Sequence, residues 1–242
     1  MRIHRVYTPQ ALESGRELIL EGGNAHYLAR VLRVNAGQTV VLFNGDGRDY
    51  AAEVVRADRK EISLRLFSRL PAAAESAVGI TVVQALSRGE RMDQTLQKCT
   101  ELGASAFQPL ISERVEVRLD QSKLAKRLAH WQGVVISACE QSGRAVIPQV
   151  HEPLDLEELL ARPATGLSLV LAPGAPEPLA RAPLGRTVQV LIGPEGGFSE
   201  AEQLLMQSRG MQLVSLGPRI LRTETAAPAA VAIVQALAGD LG

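Results

Sequence analysis

The segment Leu191–Glu202, LIGPEGGFSEAE, decides how the second half of the chain is interpreted. An apolar run, TVQVLI, stops abruptly at Gly-Pro-Glu-Gly-Gly, and Ser199 follows with Glu202 three residues later. Ser-x-x-Glu ahead of an apolar-periodic stretch is the signature of a capping box. The order is therefore a strand, a glycine-rich loop and a helix that starts at Ser199. Such loops let a small molecule approach the backbone closely.

Length, composition and charge limit the number of domains and the classes of ligand that the chain can have. With 242 residues, 46% of them hydrophobic, the chain can form one large or two small packed domains. The net charge is zero, but residues 1–72 hold 11 Lys and Arg against 8 Asp and Glu (+3), and the remainder holds 15 against 18 (−3). This asymmetry permits a modest anion-binding role for the front region.

Targeting and redox signals point to the cytoplasm. The N-terminal MRIHRVYTPQ has no signal-peptide core. No apolar run reaches the roughly 18 residues of a membrane span. Cys99 and Cys139 are far apart in helix-like stretches, which is typical of buried free cysteines. We expect a soluble, cytoplasmic protein without membrane contact.

The front region has the pattern of a small β-barrel. Its strand-like segments are RIHRVYT, RELILE, TVVLF, YAAEVVRA and EISLRLFS, and NGDG at residues 44–47 predicts a hairpin between the third and the fourth. One helix intervenes, in which Tyr27, Leu28, Val31 and Leu32 form an apolar stripe. Many short strands within about 70 residues are typical of a barrel, and PAAAES at 71–76 reads as a linker.

Beyond the linker, strands and helices alternate. GITVVQAL, AFQPLI, LSLVLA, VQVLI and MQLVSL are apolar strand candidates. A helical stretch follows each of the first two strand candidates. The first helix has Met92, Leu96, Cys99 and Leu102 on one face. The second has Leu124, Leu128, Trp131, Val135 and Ala138 on one face. This alternation predicts an α/β domain with a largely parallel sheet. Ligands bind such sheets at the carboxyl ends of the strands, where three glycine- and proline-containing loops form a slot of nucleotide size.

Several common chemistries are excluded by spacing. Gly193, Gly196 and Gly197 do not form GxGxxG, and the chain has no GxxxxGK[ST], HExxH or GxSxG. The four histidines are scattered and there is no Cys/His cluster, so we expect no metal. The loop has no Lys and contains Glu195, which disfavours a phosphate and favours a neutral or cationic nucleoside. The alternative is that GPEGG is only a tight turn followed by a helix cap.

Four segments carry a family resemblance: QALSRGERMDQTLQKCTELGASAFQPLISER, ACEQSGR, LIGPEGGFSEAE and LGPRILRTETA. In combination they resemble the ribosomal RNA small subunit methyltransferase E family, of the SPOUT or trefoil-knot class. HYLARVLR and VVLFNGDGRDYAAEV also resemble the PUA-like barrel of that family. The resemblance covers most of the chain.

The resemblance implies a PUA-like, RNA-binding β-barrel over residues 1–72 and a SPOUT-type α/β domain with a deep trefoil knot over 73–242. It implies methylation of N3 of one uridine in the decoding region of 16S rRNA, on the assembled small subunit, with S-adenosylmethionine as methyl donor. It also implies a homodimer. Three positions depart from the family pattern: Arg88 stands for a usual Lys, Val115 for a Ser, and Pro228 lies near the start of the last helix.

The family resemblance implies chemical roles for the residues of these loops. The expected donor-binding residues are Leu171, Ala172, Pro173, Ile192, Gly193, Gly196, Gly197, Leu216, Gly217, Ile220 and Leu221. For the leucines and isoleucines the alternative is ordinary core packing. Arg222 is the expected catalytic cation, which would stabilise negative charge on the uracil carbonyls; its alternative is a salt bridge to Glu224. Glu195 is a candidate proton acceptor, or else interacts with the helix dipole.

The expected RNA contacts are arginines: Arg30 and Arg33 on the front helix, and Arg88, Arg91, Arg114 and Arg144 near the cleft. For any one of them a solvated surface is the alternative. Only 3% of the residues are aromatic, which favours recognition of folded RNA over stacking on a single strand.

The composition of the last predicted helix indicates that the chain forms a dimer. AAPAAVAIVQALA, residues 226–238, contains one polar residue, Gln235, so the helix must be covered on all sides. One sheet face covers part of it, and a second subunit is expected to cover the rest. Two other functions remain open: a SPOUT methyltransferase acting on tRNA or on a ribose 2′-hydroxyl, and a non-catalytic RNA-binding assembly factor.

Overall fold

The computed structural model describes residues 4–58, 60–117 and 120–242. Arg2 and Ile3 of the first predicted strand lie outside the described residues. The chain divides into two compact units, one of Met1–Glu75 with Cys139–Ile147 and the other of Ser76–Ala138 with Pro148–Gly242. The first unit thus includes a segment that is remote from it in sequence.

The first unit is a curled five-stranded sheet. Its elements are β1 (His4–Tyr7), β2 (Glu17–Glu21), α1 (Gly22–His26) leading into a π-helical turn (Tyr27–Val31), β3 (Thr39–Phe43), β4 (Arg48–Ala57) and β5 (Glu61–Pro71). The strand order is β1-β3-β4-β5-β2. β3 and β4 pair antiparallel, which confirms the predicted hairpin. Two register shifts between β4 and β5 are the kind of bulge that bends a sheet.

The predicted stripe on the front helix is wrong in part. Leu28 is fully buried, but Tyr27 is 39% and Val31 is 61% exposed. The cause is the π-helical turn, in which each residue advances by a smaller angle than in an α-helix. Positions that share one face of an ideal α-helix therefore diverge here.

Residues Cys139–Ile147 are bound to the first unit by polar contacts. Arg5 donates from Nη1 to the Cys139 carbonyl (2.7 Å) and pairs with Asp49 (2.6 Å). The Tyr7 backbone N–H donates to the Glu140 carboxylate (3.0 Å). Burial raises the pKa of Glu140, against the lowering effects of this hydrogen bond and of the Arg5 charge. The sheet of the first unit therefore depends on a segment that lies beyond half of the chain.

The second unit is a parallel sheet with helices on its faces. Its elements are β6 (Gly79–Ala85), α2 (Arg91–Glu101), β7 (Ala106–Ile111), α3 (Gln121–Ser142), β8 (Gln149–Val150), β9 (Leu154–Asp155), α4 (Leu156–Ala161), β10 (Leu167–Leu171), β11 (Thr187–Ile192), α5 (Glu200–Ser208), β12 (Gln212–Val214) and α6 (Thr223–Ala238). The strand order is β12-β10-β11-β6-β7-β8, and β9 also pairs with β7. All of these pairs are parallel, which confirms the predicted α/β class.

Buried strands explain the unbroken apolar runs. Val82, Val83, Val190 and Leu191 have no exposed surface, because the central strands β6 and β11 are covered on both faces. The predicted face of α2 is largely confirmed, since Met92, Leu96 and Cys99 are buried and Leu102 is half-buried at its end. On α3 the stripe is buried from Trp131 onward, while Leu124 and Leu128 are half-buried.

The helix predicted to begin at Ser199 is confirmed. Ser199 Oγ accepts from the Glu202 backbone N–H (3.2 Å), and the Glu202 carboxylate accepts from the Ser199 N–H (2.8 Å), which completes the capping box. The other oxygen of Glu202 accepts from the Glu113 N–H (2.8 Å). One glutamate thus closes the start of α5 and holds the loop after β7 beside it.

Helix α6 is buried on one face and apolar on the other. Ala227, Ala230 and Val234 are fully buried. Gln235, the polar residue of this stretch, donates to the Gly103 carbonyl (3.2 Å) and accepts from Ser76 (2.7 Å). On the outer face Leu237 is 54% exposed. Within the described part of the chain no helix combines the length and the apolar character needed to cross a membrane.

Candidate functional site

Three loops meet at the carboxyl edge of the sheet and enclose a cavity of about 390 Å³, here named the inner cavity. They follow β10, β11 and β12, as expected for a ligand site in an open parallel sheet. Ten of the eleven predicted donor-binding residues line it: Leu171, Ala172, Pro173, Ile192, Gly193, Gly197, Leu216, Gly217, Ile220 and Leu221. Gly196 lines a neighbouring cavity instead.

Two glycines shape the loop after β11. A Cβ on Gly193 would come within 3.0 Å of the Phe198 backbone nitrogen, so this position lets the chain fold back on itself. Gly197 has φ +67°, in the left-handed region, and no atom lies within 4 Å of where a Cβ would stand. Gly197 is also a lining residue of the inner cavity, so we expect a side chain at residue 197 to interfere with a ligand there.

A buried chain of hydrogen bonds supports the loop. Gln84, at the end of β6, donates from Nε2 to Thr223 Oγ1 (2.8 Å). Thr223 Oγ1 in turn donates to the Gly193 carbonyl (3.3 Å). Our sequence reasoning missed both side chains. The signal was present, because Gln84 is an amide between apolar residues at the end of β6 and most buried amides are hydrogen-bonded; its Nε2 is bonded here, while its Oε1 has no partner among the described residues.

A larger cavity of about 930 Å³, the outer cavity, lies against the inner one. Three of the predicted RNA-contacting arginines, Arg88, Arg91 and Arg114, line it. Arg91, Glu195 and Glu224 belong to the walls of both cavities. A molecule in one cavity therefore lies next to a molecule in the other.

The shared wall is an ion-pair network. Arg91 pairs directly with Glu195 and, through Nε, approaches Glu224 Oε1 at 3.8 Å. The second oxygen of Glu224 is buried without a hydrogen-bond partner. The expected alternative for Arg222, a salt bridge to Glu224, is not formed among the described residues. Arg222 instead occupies the N-cap position of α6 and is exposed on the rim of the inner cavity.

The environment of Glu195 weakens its case as a proton acceptor. Partial desolvation acts to raise its pKa, but hydrogen bonds from its own N–H, the Arg91 guanidinium and the Arg88 N–H outweigh this effect and lower the pKa. A carboxylate with a lowered pKa is a weak base at neutral pH. Its contact with Arg91, rather than with the start of α5, is what the structure shows.

The remaining predicted RNA contacts differ in exposure. Arg30 and Arg33 are exposed in the first unit. Arg88 is exposed but paired with Glu116 (2.7 Å), and Arg114 donates to the Gly196 carbonyl (2.8 Å). Arg144 does not fit the prediction.

Arg144 is only 7% exposed, and its Nε donates to Glu75 (3.2 Å) within the first unit. The segment ACEQSGR packs into that unit, so this guanidinium is directed inward. It therefore cannot contact a phosphate in this arrangement.

No group of three His, Cys, Asp or Glu side chains suited to a metal ion occurs among residues 4–58, 60–117 and 120–242. The charged residues that line the inner cavity are Arg91, Arg219, Arg222, Glu195 and Glu224.

Comparison with known proteins identifies the class. Residues 74–235 match the family model of the RNA methyltransferase domain, and residues 20–67 match that of the RNA methyltransferase PUA domain. The first match spans more than half of the chain and contains all three loops, so the chain has an RNA methyltransferase domain.

Individual relatives specify the family. A ribosomal RNA small subunit methyltransferase E from Buchnera aphidicola (subspecies Schizaphis graminum) is 32% identical, over 99% of this chain and 98% of that protein. The structure of the same enzyme from Neisseria gonorrhoeae, bound to S-adenosylmethionine, is 39% identical with TM-score 0.92 and full coverage of both chains. A Legionella pneumophila methyltransferase, also bound to S-adenosylmethionine, is 39% identical with TM-score 0.96 and full coverage. The chain belongs to the ribosomal RNA small subunit methyltransferase E family.

The Arg91–Glu195 ion pair can be tested by titrating the Glu195 carboxyl. Replacing Arg91 with Met should raise the pKa of Glu195, because the variant loses both a hydrogen bond and a positive charge. Because the folded pKa is lowered, the pair contributes stability above the ordinary glutamate pKa of about 4.3 and loses it as pH falls through the folded value. The measurement is the ¹³C shift of the Glu195 carboxyl against pH.

Arg88→Met is the matched control, since Glu195 contacts the backbone of Arg88 and the Arg88 side chain pairs with Glu116. An unchanged Glu195 titration in Arg91→Met would show that the pair does not form in solution.

Proposed function

We propose that the protein transfers a methyl group from S-adenosylmethionine to N3 of a uridine in the decoding region of 16S rRNA, on the assembled small subunit. The observation that carries the proposal is the inner cavity, formed by three strand-end loops and sharing a wall with an arginine-lined outer cavity. The Neisseria gonorrhoeae relative, 39% identical over both full chains, binds S-adenosylmethionine. Its family name supports ribosomal RNA as the substrate.

The inner cavity offers the donor charged partners of both signs. Its lining includes three guanidiniums, on Arg91, Arg219 and Arg222, and two carboxylates, on Glu195 and Glu224, a formal net of +1. A buried carboxylate oxygen without a partner, such as Glu224 Oε2, is unfavourable by about 1–3 kcal/mol. A ligand that donates a hydrogen bond to this oxygen can compensate for that cost. S-adenosylmethionine carries a sulfonium and an ammonium group against one carboxylate.

The inner cavity also fits by shape. Its volume of about 390 Å³ lies within the range of small-molecule sites, about 300–1,000 Å³. Ile192, Leu216 and Leu221 would form apolar walls, and the open sides of Gly197 and Gly217 leave backbone within reach. No metal takes part in this proposal.

The bound donor supplies an electrophilic methyl group, and the chain supplies position and charge. Attack by N3 would form the N–C bond as the S–C bond of the donor breaks, with S-adenosylhomocysteine as the leaving group and the N3 proton released to solvent. The negative charge that develops on the uracil spreads to its carbonyl oxygens. Arg222, exposed at the rim of the inner cavity, would stabilise that charge. Glu195 was the candidate proton acceptor; its lowered pKa favours the role of holding Arg91 in the shared wall. Positioning of the two reactants would provide much of the acceleration.

The first unit is proposed to bind the RNA. Its match to the PUA domain of RNA methyltransferases and the net charge of +3 over residues 1–72 support this role. We divide the function at residue 72, with RNA binding before it and methyl transfer in residues 73–242. The exposed arginines Arg30 and Arg33 are the proposed phosphate contacts of this part.

Three further properties complete the proposal. A homodimer is supported by the partly uncovered apolar face of α6, where Leu237 is 54% exposed. A deep trefoil knot in residues 73–242 and a cytoplasmic location follow from the family resemblance. Light scattering at micromolar concentration should give twice the mass of the 25.9 kDa chain.

The test of the function is methyl transfer to purified substrates. With labelled S-adenosylmethionine, small subunits from a strain that lacks the modification should be methylated, and mass spectrometry should find N3-methyluridine in the decoding region. Incorporation into tRNA, or a ribose 2′-O-methyl product, would replace the proposed substrate with the alternative ones. Subunit binding without incorporation would indicate a non-catalytic assembly factor.

Gly197→Val tests the inner cavity. The side chain would occupy space that is open at this position, and overpacking of about 1–3 kcal/mol corresponds to roughly 5- to 150-fold weaker donor binding. Calorimetry with S-adenosylmethionine measures the effect. Gly210→Val is the matched control, because Gly210 also has a positive φ (+81°) and open space but lies outside the inner cavity. Equal affinities of the two variants would contradict the site.

Arg30→Ala and Arg33→Ala test the first unit. Each should weaken binding to small subunits and reduce the slope of log affinity against log salt by about 0.7–0.9, because one phosphate fewer is neutralised. Donor affinity should not change. Arg16→Ala serves as the control, since Arg16 is already paired with Glu13 (2.7 Å). If all three variants behave alike, Arg30 and Arg33 are ordinary surface charges.

A further inference from the structure

A third cavity, of about 380 Å³, borders the outer cavity and shares Arg88 and Gly89 with it. We name it the Arg127 cavity. Its walls are the loop after β6 (Leu86–Gly89), the first turn of α2 and the middle of α3. Neither the expected donor-binding residues nor the expected catalytic residues line it.

One wall of the Arg127 cavity holds a hydroxyl without a partner. Ser87 is 8% exposed, and its Oγ has no hydrogen bond to any described residue. Buried hydroxyls are nearly always hydrogen-bonded, because burial without a partner forfeits the hydrogen bonds made to water. A ligand atom that accepts or donates a hydrogen bond would satisfy this group.

The lining of the Arg127 cavity also includes a guanidinium without a carboxylate partner. Arg127 is half-buried, with its Cζ 5.9 Å from the centre of the Trp131 ring, and no carboxylate of the described residues pairs with it. By contrast, Arg88 and Arg91 at the outer cavity pair with Glu116 and Glu195.

The acid in the Arg127 cavity has a partner already. Asp93 lies 2.7 Å from His130 Nε2, so its carboxylate bonds to the imidazole and does not pair with Arg127.

We propose that the Arg127 cavity binds a backbone phosphate of the RNA substrate, next to the outer cavity whose Arg88 and Gly89 it shares. This proposal rests on the proposed function. A planar guanidinium and a hydroxyl are matched to phosphate oxygens, and the arginine is already fixed in place against an aromatic ring. Trp131 is 5% exposed, so its ring is not available for a base to stack on. A phosphate therefore suits the cavity better than a base does.

The test compares Arg127→Ala and Ser87→Ala with Lys126→Ala in the full-length protein. Lys126 is the neighbour of Arg127 on α3, carries the same charge, is exposed and does not line the cavity. Binding to small subunits is measured by filter retention over a range of salt concentrations. Calorimetry with S-adenosylmethionine checks that each variant is folded and binds the donor.

Loss of Arg127 should weaken subunit binding about 10-fold, since a charge-assisted hydrogen bond is lost. The salt slope should fall by about 0.7–0.9. Ser87→Ala should weaken binding a few-fold without changing the slope, because a neutral group releases no counterion. Arg127→Lys should keep the slope and recover part of the affinity. Donor affinity should stay at the wild-type value throughout.

Two outcomes would overturn the inference. If Arg127→Ala matches Lys126→Ala in affinity and slope, the cavity makes no contact with the RNA. If inorganic phosphate binds to the wild type and not to Arg127→Ala, while subunit binding is equal in both, the cavity takes free phosphate instead. Failure of the proposed function is distinct, because it would appear as absent methyl transfer by the wild-type protein.

Discussion

The candidate site depends on one buried chain of hydrogen bonds, from Gln84 through Thr223 to the carbonyl of Gly193. Gln84 ends a central strand, Thr223 begins the last helix, and Gly193 opens the loop after β11. Residues separated by up to 139 positions are therefore held together in a region without bulk water. Because unpartnered polar groups are costly there, the three segments are stable only in the arrangement that also forms the inner cavity. Arg91 links the same two segments at the rim of the cavity, because its guanidinium contacts Glu195 in the loop after β11 and Glu224 in α6.

Much of the fold was predictable because its signals are local. Unbroken apolar runs such as VQVLI indicated strands buried on both faces, and Ser199 with Glu202 indicated where α5 begins. The stripe on the front helix was wrong in part because the π-helical turn depends on tertiary contacts, which leave no mark in an apolar periodicity. The inclusion of Cys139–Ile147 in the first unit was likewise not visible, since it depends on Arg5 reaching across more than 130 positions.

The residues of the candidate site were likewise predicted only in part. Residues that lie at strand ends in one edge of a sheet were placed together by the topology alone, and all but Gly196 line the inner cavity. Charged residues were less predictable, because their roles depend on which opposite charge lies nearest in space. Arg144 was expected to face RNA and is instead buried against Glu75, while Arg91 joins two glutamates. Ser87 and Arg127 were missed because the sequence does not show which residues surround them. That Ser87 lacks a hydrogen-bond partner and Arg127 lacks a carboxylate is evident only from the structure.

The composition of the first unit has a consequence for synthesis on the ribosome. The chain passes between the two units three times, and Cys139–Ile147 is the last part of the first unit to be made. The 72 residues from Ser76 to Ile147 take about 4–14 s to translate at about 5–20 residues per second. During that interval Arg5 lacks the Cys139 carbonyl and Tyr7 lacks the Glu140 carboxylate. The apolar core of the N-terminal sheet is drawn from residues 6–66 and is synthesised early, but the sheet gains these polar partners only after strands and helices of the second unit have emerged.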